Sequence, residues 1–170
     1  MGAYGRPGQA LAGFLRWIAS GFDVEELIGL CQAGLITFAK GKGASVSAPR
    51  PQEVATLLRK GRIRKGRKSY QVGFKRVERE LRTQIAESRN QERTTEYLEQ
   101  QAERVQAVQA MVDKLFGLVP GGGRVKIQDL TNACIKFLIQ NAPVRAGYDS
   151  NAIVTLKVHM ETIGENVVAH

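Results

Sequence analysis

The sequence predicts a predominantly helical α+β fold, with an N-terminal cluster of short helices, a long helical arm, and a C-terminal helix followed by one or two β-strands. Three observations support this prediction. Apolar residues recur at helical spacing over the first part of the 170-residue chain. Residues 69–117 contain no proline and are rich in Glu, Gln, Arg and Ala, which favour helix. Residues 152–160 alternate between polar and apolar side chains, as a half-buried strand does.

The N-terminal region, residues 1–58, is expected to form the cluster of short helices. Its first helix is indicated by apolar residues at the i, i+3, i+4 and i+7 positions of one face: Leu11, Phe14, Leu15 and Ile18. Asp23 is a favourable N-cap for a second helix, because its side chain can accept a hydrogen bond from a free backbone amide. A third short helix is predicted over residues 52–60, after a loop at residues 41–51.

The rest of the chain divides into three segments. A basic linker covers residues 59–69, a long helix or helical hairpin covers residues 70–118, and a C-terminal helix and strand region covers residues 124–170. The second segment is either one helix of roughly 70 Å, at about 1.5 Å per residue, or two helices that break near Thr94 and Thr95. Its apolar stripe is narrow, so we expect a partner surface to bury it.

The net charge of +9 is concentrated in one part of the chain. Residues 59–82 contain eleven basic and two acidic residues, so the remainder of the chain is charge-balanced. The densest part, residues 59–68, contains seven cations, whose mutual repulsion favours a nearby anion over a solvated loop. We predict that nine basic residues bind a polyanion or an acidic partner: Arg59, Lys60, Arg62, Arg64, Lys65, Arg67, Lys68, Lys75 and Arg76.

The basic segment has no aromatic residue before Tyr70 and Phe74, whereas a platform for stacking bases would have aromatic residues between the cations. A nucleic acid is therefore expected to be contacted through its backbone and without sequence specificity. A less favoured alternative is a helix-turn-helix over residues 51–68. This segment has a first helix and a glycine turn, but no apolar face is evident on a second helix.

The residue patterns do not predict an enzyme. Cys31 and Cys134 lie far apart, and Cys31 is better explained as a core residue than as a nucleophile. The glycine-rich stretches lack phosphate-loop spacing, and no His or Cys pair has metal-ligand spacing. We therefore predict no catalytic residue, no cofactor and no metal. Charged residues interrupt the apolar segment over residues 11–39, so we expect no membrane span and no membrane partner.

Seven apolar residues are candidates for contacts with another subunit or with a second copy of the chain: Trp17, Leu98, Val105, Val112, Ile153, Leu156 and Val158. Trp17 is alternatively a core residue. Leu98, Val105 and Val112 belong to the narrow apolar stripe of the helical arm. The last three lie on the predicted strand, which needs a second strand to pair with, either in this chain or in a neighbouring subunit.

A short motif follows the predicted C-terminal helix. It consists of Ala142, Pro143, Val144, Arg145 and Gly147, with Ile153 six residues after the glycine. This segment, within Asn141–Met160, resembles the neck and tail-completion (head–tail joining) proteins of tailed phages. In that family a helix ends in Ala-Pro-Val-(Asp/Arg)-Thr-Gly, and an isoleucine six residues after the glycine opens a strand.

The resemblance implies a non-enzymatic structural or assembly protein of a phage-like virion, such as a neck, head–tail connector or minor capsid component. Its partners would be other virion subunits or copies of itself, and its basic segment would contact nucleic acid or an acidic neighbouring subunit. It would be located in the virion and, during assembly, in the cytoplasm of the bacterial host. The alternative is a free nucleic-acid-binding accessory or regulatory protein of the cytoplasm.

Overall fold

The computed structural model describes residues 5–36, 48–120 and 127–140, together with Val158. This part of the chain contains six helices: α1 (Gly5–Ala19), α2 (Val24–Gln32), α3 (Pro51–Lys60), α4 (Arg67–Asn90), α5 (Glu96–Leu118) and α6 (Ile127–Gln140). It contains no β-strand, so the predicted α+β class is wrong and the described fold is all-α.

The strand that the sequence predicts over residues 152–160 lies outside the described residues, apart from Val158, which has a helical backbone. Two physical reasons explain the misassignment of the class. Alternation over a short apolar stretch does not by itself distinguish a strand from a helix. In addition, a single strand is not stable alone, and the described residues offer no second strand to pair with it.

The starts of α2 and α3 follow from local hydrogen bonding. Asp23 caps α2 as the sequence predicts, because its carboxylate accepts a hydrogen bond of 2.9 Å from the backbone amide of Glu25. Pro51 begins α3, where its missing N–H leaves no helical hydrogen bond unmade. The Glu53 carboxylate accepts a hydrogen bond of 2.9 Å from the backbone amide of Arg50, which fixes the first turn of α3.

Helices α4 and α5 form an antiparallel hairpin, which is one of the two alternatives that the sequence left open. Arg89, near the end of α4, pairs with Glu99, near the start of α5, at 3.0 Å. Arg67, at the start of α4, donates a hydrogen bond of 3.3 Å to the carbonyl of Phe116, near the end of α5. The connection covers residues 91–95, in which Glu92 adopts a left-handed conformation with φ of 52°.

The core lies where α3 and α6 pack against one half of this hairpin, with α1 packed on α6 and α2 packed on α1 and α3. Aromatic side chains form its centre: Phe14 stacks on Phe137 with ring centroids 4.2 Å apart, and Trp17 lies 5.0 Å from Phe116. The buried residues of the hairpin end at Leu81 on α4 and begin at Val105 on α5. The connected ends of α4 and α5 are therefore more exposed to solvent than the half that packs on the core.

Candidate nucleic-acid interface on helix α4

The turn between α3 and α4, residues 61–66, is bound to the rest of the protein by backbone hydrogen bonds. The amide of Val24 donates to the carbonyl of Arg64 at 2.8 Å, and the amide of Gly66 donates to the carbonyl of Gly21 at 2.9 Å. Ile63 is buried, with 3% of its surface exposed. The segment that the sequence describes as a basic linker therefore consists of the end of α3, a folded turn and the start of α4.

A close approach of α3 and α4 fixes the direction in which α4 leaves this turn. A methyl group on Gly61 would lie 3.0 Å from the carbonyl oxygen of Gly73, which is tighter than ordinary van der Waals contact. A methyl group on Gly73 would meet the side chain of Ile63. Only glycine at both positions allows the two backbones this separation. The first three turns of α4 are thus held in a defined orientation against α3.

Helix α4 has two faces of opposite character. Its buried face carries Tyr70, Gly73, Phe74, Val77 and Leu81. Its exposed face carries Lys68, Lys75, Arg79 and Arg82. Successive residues of an α-helix are rotated by about 100°, so residues seven, eleven and fourteen positions after Lys68 fall within about 40° of it. The four cations therefore form one line along the helix, on the side away from the core.

None of these four side chains has a carboxylate within ion-pair distance among the described residues. The exposed side chains of Arg62 and Arg64, on the turn before α4, also lack such a partner there. Arg62 and Lys68 line the same shallow cleft, together with Val72. We call the set Arg62, Lys68, Lys75, Arg79 and Arg82 the basic face.

Three of the predicted anion-binding residues are instead paired with carboxylates of this chain. Arg59 lies 3.5 Å from Glu25, Lys60 lies 3.6 Å from Glu80, and Lys65 lies 3.5 Å from Asp23. These pairs are at the surface, where each contributes about 0–1 kcal/mol to stability. Their charge is nevertheless partly neutralised, which makes them weaker ligands for an external anion than the basic face.

Two further predicted anion-binding residues have partners in the fold. The Arg76 guanidinium donates a hydrogen bond of 2.8 Å to the carbonyl of Gly61 and so caps the C-terminal end of α3. The Arg67 guanidinium donates to the carbonyl of Phe116 and lies 5.2 Å and 5.8 Å from the ring centroids of Phe116 and Phe22. Both guanidinium groups therefore already have partners within this chain.

The prediction of anion-binding residues left out Arg79 and Arg82, which complete the basic face. Both lie in the charged window that the sequence identified, but their neighbours Glu78 and Glu80 obscure the pattern in linear order. A helical projection of residues 67–90 separates them, because Glu78 and Glu80 point to the two flanks of the helix. The signal was therefore present in the sequence, at helical spacing.

The predicted interface residues lie in different environments. Trp17, Val105 and Val112 are buried in the core of this chain, with 0%, 2% and 0% of their surfaces exposed. Leu98 is half-buried on α5. Val158 is exposed, whereas Ile153 and Leu156 lie outside the described residues. The first three side chains thus have no exposed surface in this structure to offer a partner.

Neither cysteine has the surroundings of a catalytic nucleophile. Burial raises the pKa of the Cys31 thiol to about 12 and that of the Cys134 thiol to about 11. Both side chains therefore stay protonated at neutral pH, whereas nucleophilic chemistry requires the thiolate. Among the described residues, no group of three or more His, Cys, Asp or Glu side chains is placed to hold a metal ion.

The same part of the chain contains no helix that combines the length and the hydrophobicity needed to span a membrane. Comparisons of the chain with models of protein families, with curated proteins and with solved structures give no significant match.

Proposed function

We propose that this chain is a non-enzymatic assembly protein of a phage-like particle, and that its basic face contacts nucleic acid. One observation carries the contact with nucleic acid: four cations lie in line on the exposed side of α4, and no carboxylate of the described residues pairs with them. A row of like charges is self-repelling, so an external polyanion lowers its free energy.

The backbone at Arg62 gives further support. Arg62 adopts φ of 52°, a left-handed conformation that costs a residue with a side chain about 1–2 kcal/mol. Glycine would adopt this conformation without that cost. The position nevertheless holds a cation of the basic face, which is understandable if the guanidinium has a role in binding. Two other residues of the described part, Phe22 and Glu92, share this conformation without being cationic.

The role in particle assembly rests on the resemblance of residues 141–153 to phage neck and tail-completion proteins. These residues lie outside the described part of the chain. The helix that precedes them, α6, spans Ile127–Gln140 and so leads toward the motif. This agrees with the family pattern, in which a helix leads into the Ala-Pro-Val sequence. The proposed location is the virion and, during assembly, the cytoplasm of the bacterial host.

A second candidate is a free regulatory or accessory protein that reads DNA with a helix-turn-helix. The favouring observation is that α3, the folded turn and α4 pack together through Gly61 and Gly73. The sequence pattern indicates no apolar face on a second helix, but α4 has one, formed by Tyr70, Phe74, Val77 and Leu81. A recognition helix in this arrangement would place side chains from its first turns against base edges.

Titration of the purified protein with two unrelated DNA duplexes of equal length distinguishes these functions, with sedimentation velocity measuring the oligomeric state. An assembly protein is expected to form oligomers and to bind both duplexes with affinities that agree within about threefold, since backbone contacts carry no sequence information. A monomer that binds one duplex about a thousandfold more tightly supports the regulatory function and overturns the proposal. Failure to bind any polyanion at low salt contradicts both candidates.

A further inference from the structure

We infer that the basic face is a binding site for the phosphate backbone of double-stranded DNA, in preference to a single strand, an acidic protein or a membrane surface. This inference rests on the proposed function and names the polyanion. Four features of the described residues lead to it: the spacing of the cations, the position of the aromatic side chains, the scarcity of apolar surface around the cations, and the charge of the chain.

The spacing of the cations fits a rigid, linear array of negative charges. Lys68 and Arg82 are fourteen residues apart, which places them about 21 Å apart along the axis of α4. Duplex DNA carries one phosphate per about 3.4 Å of axis on each strand, so this length covers roughly six phosphates of one strand. Helix α4 is held by the packing of Gly61 on Gly73, so its cations are arranged in line before any ligand arrives.

The aromatic residues of α4 argue against a single strand. Proteins that bind single strands without sequence preference stack bases on exposed aromatic side chains between the cations. The two aromatic residues of α4, Tyr70 and Phe74, are each 1% exposed and lie on the opposite face, in the core. The basic face therefore has charge for the backbone but no surface on which a base can stack.

The apolar surface around the cations is too small for a protein or a lipid partner. Val72, with 46% of its surface exposed, is the one large apolar side chain that α4 exposes. Protein interfaces are anchored by aromatic and aliphatic side chains in desolvated pockets, and helices that bind membrane surfaces insert a wide apolar face. A second copy of this chain is also disfavoured as a partner through the same surface, because the two basic faces carry charge of the same sign.

The test compares two variants with the same loss of charge. The first neutralises the four cations of α4 that have no carboxylate partner: Lys68→Gln, Lys75→Gln, Arg79→Gln and Arg82→Gln. The matched control neutralises four cations that pair with carboxylates: Arg16→Gln, Arg59→Gln, Lys60→Gln and Lys65→Gln. Binding is measured by fluorescence anisotropy over a range of salt concentrations. The probe is a DNA duplex of about 20 base pairs, which is longer than the roughly six base pairs that the cations of α4 span.

We expect the first variant to lose more than about tenfold in duplex affinity at moderate salt, and the slope of log affinity against log salt to become shallower by about 3–4 units. We expect the control to change that slope by less than about 1 unit. The wild-type protein should bind the duplex more tightly than either of its separated strands. Circular dichroism of both variants shows whether each is folded.

Equal effects of the two variants would overturn the inference, because net charge alone would then explain binding. Binding of the single strand, of polyglutamate or of anionic lipid vesicles as tightly as the duplex would also overturn it. Tight binding of the single strand would still support contact with nucleic acid, so the proposed function would survive. Absence of binding to all of these probes at low salt would contradict the proposed function as well.

Discussion

The two faces of α4 differ in where their partners are. On the buried face, Tyr70 and Phe74 have all their neighbours within this chain, and the hydroxyl of Tyr70 accepts a hydrogen bond from Trp17 at 3.0 Å and donates one to the carbonyl of Phe22 at 2.9 Å. On the exposed face, the cations have no carboxylate partner in the described residues. One helix can thus pack into the core with one side and leave the other side available to an external ligand.

The basic residues next to this face show that charge alone does not identify a binding residue. Lys75 and Arg76 are adjacent in sequence and both are exposed. Arg76 donates to the carbonyl of Gly61 and holds α3 against α4, whereas Lys75 has no partner in the described part. A cation with a partner in the fold contributes to stability, and a cation without one is available to a ligand.

Replacement of Trp17 with alanine should remove the support of the buried face. Trp17 is fully buried, contacts the rings of Phe22, Tyr70 and Phe116, and leaves a large cavity when truncated. We expect the free energy of unfolding to fall by about 3–5 kcal/mol, measured by urea denaturation. Because small domains are stable by only about 5–15 kcal/mol, the variant should be close to unfolding.

The control is the variant in which Lys68, Lys75, Arg79 and Arg82 are replaced by glutamine. These side chains are exposed and unpaired in the described part, so we expect a change within about 0.5 kcal/mol in the same urea experiment. A loss of more than about 2 kcal/mol in this control would mean that the exposed face also stabilises the fold. The distinction between the two faces would then be wrong.

Replacement of Tyr70 with phenylalanine should have a smaller effect that depends on pH. At pH 7 it removes the partner of the Trp17 indole N–H and one hydrogen bond to the carbonyl of Phe22, and we expect a loss of about 1–3 kcal/mol. Burial raises the pKa of Tyr70 above its ordinary value of 10.0. The hydroxyl is therefore protonated in both states below about pH 10, and above that pH the unfolded wild-type chain releases a proton that the folded chain retains.

The wild-type protein should consequently lose stability relative to the Tyr70→Phe variant as the pH rises above about 10. The difference between the two should shrink by up to about 1.4 kcal/mol per pH unit, measured by urea denaturation at several alkaline pH values. Lysine deprotonation affects both proteins equally and cancels in the difference. A difference that stays constant through pH 11 would mean that the Tyr70 hydroxyl is accessible to water.

The adjacent pair Lys75 and Arg76 gives a matched test of the two kinds of cation. Replacing Arg76 with methionine should lower the free energy of unfolding by about 1 kcal/mol, because the carbonyl of Gly61 loses its donor. Replacing Lys75 with methionine should leave stability nearly unchanged and weaken duplex binding instead. Thermal denaturation and anisotropy titrations of both variants measure the two effects. If Arg76→Met weakened duplex binding and Lys75→Met lowered stability instead, the contacts in this structure would not distinguish a stabilising cation from a binding one.

The local features of the fold could be predicted from the sequence because they depend on near neighbours. The N-cap at Asp23 and the apolar stripe through Leu11 and Phe14 are examples, since capping and helical periodicity operate within a few residues. The strand predicted over residues 152–160 led to the wrong fold class. Alternating polar and apolar residues form a stable strand only when a second strand is present to pair with it. Whether a second strand exists depends on residues that are distant in the sequence, so the local pattern cannot reveal it.

The binding face could be predicted only in part, for the same reason. The sequence located the charge, but the carboxylates that pair with Arg59 and Lys65 are Glu25 and Asp23, more than thirty residues earlier in the chain. No local pattern reveals such pairs. By contrast, the position of Arg79 on the exposed side of α4 follows from helical spacing once the limits of the helix are known.

A small gain in stability, rather than a loss, is expected for Arg62→Gly, at the edge of the basic face. Glycine relieves the left-handed strain at φ of 52°, worth about 1–2 kcal/mol, but adds about 0.5–1 kcal/mol of flexibility to the unfolded chain, so the net gain should lie between about 0 and 1.5 kcal/mol. The salt dependence of duplex binding should become shallower by about 1 unit, as for the loss of one phosphate contact. Thermal denaturation and anisotropy titrations measure the two quantities, and Arg64→Gly, which removes an exposed cation with ordinary backbone conformation, is the control for charge. If Arg62→Gly is instead destabilised and binds duplex as the wild type does, Arg62 is a residue of the fold, and the basic face is confined to the four cations of α4.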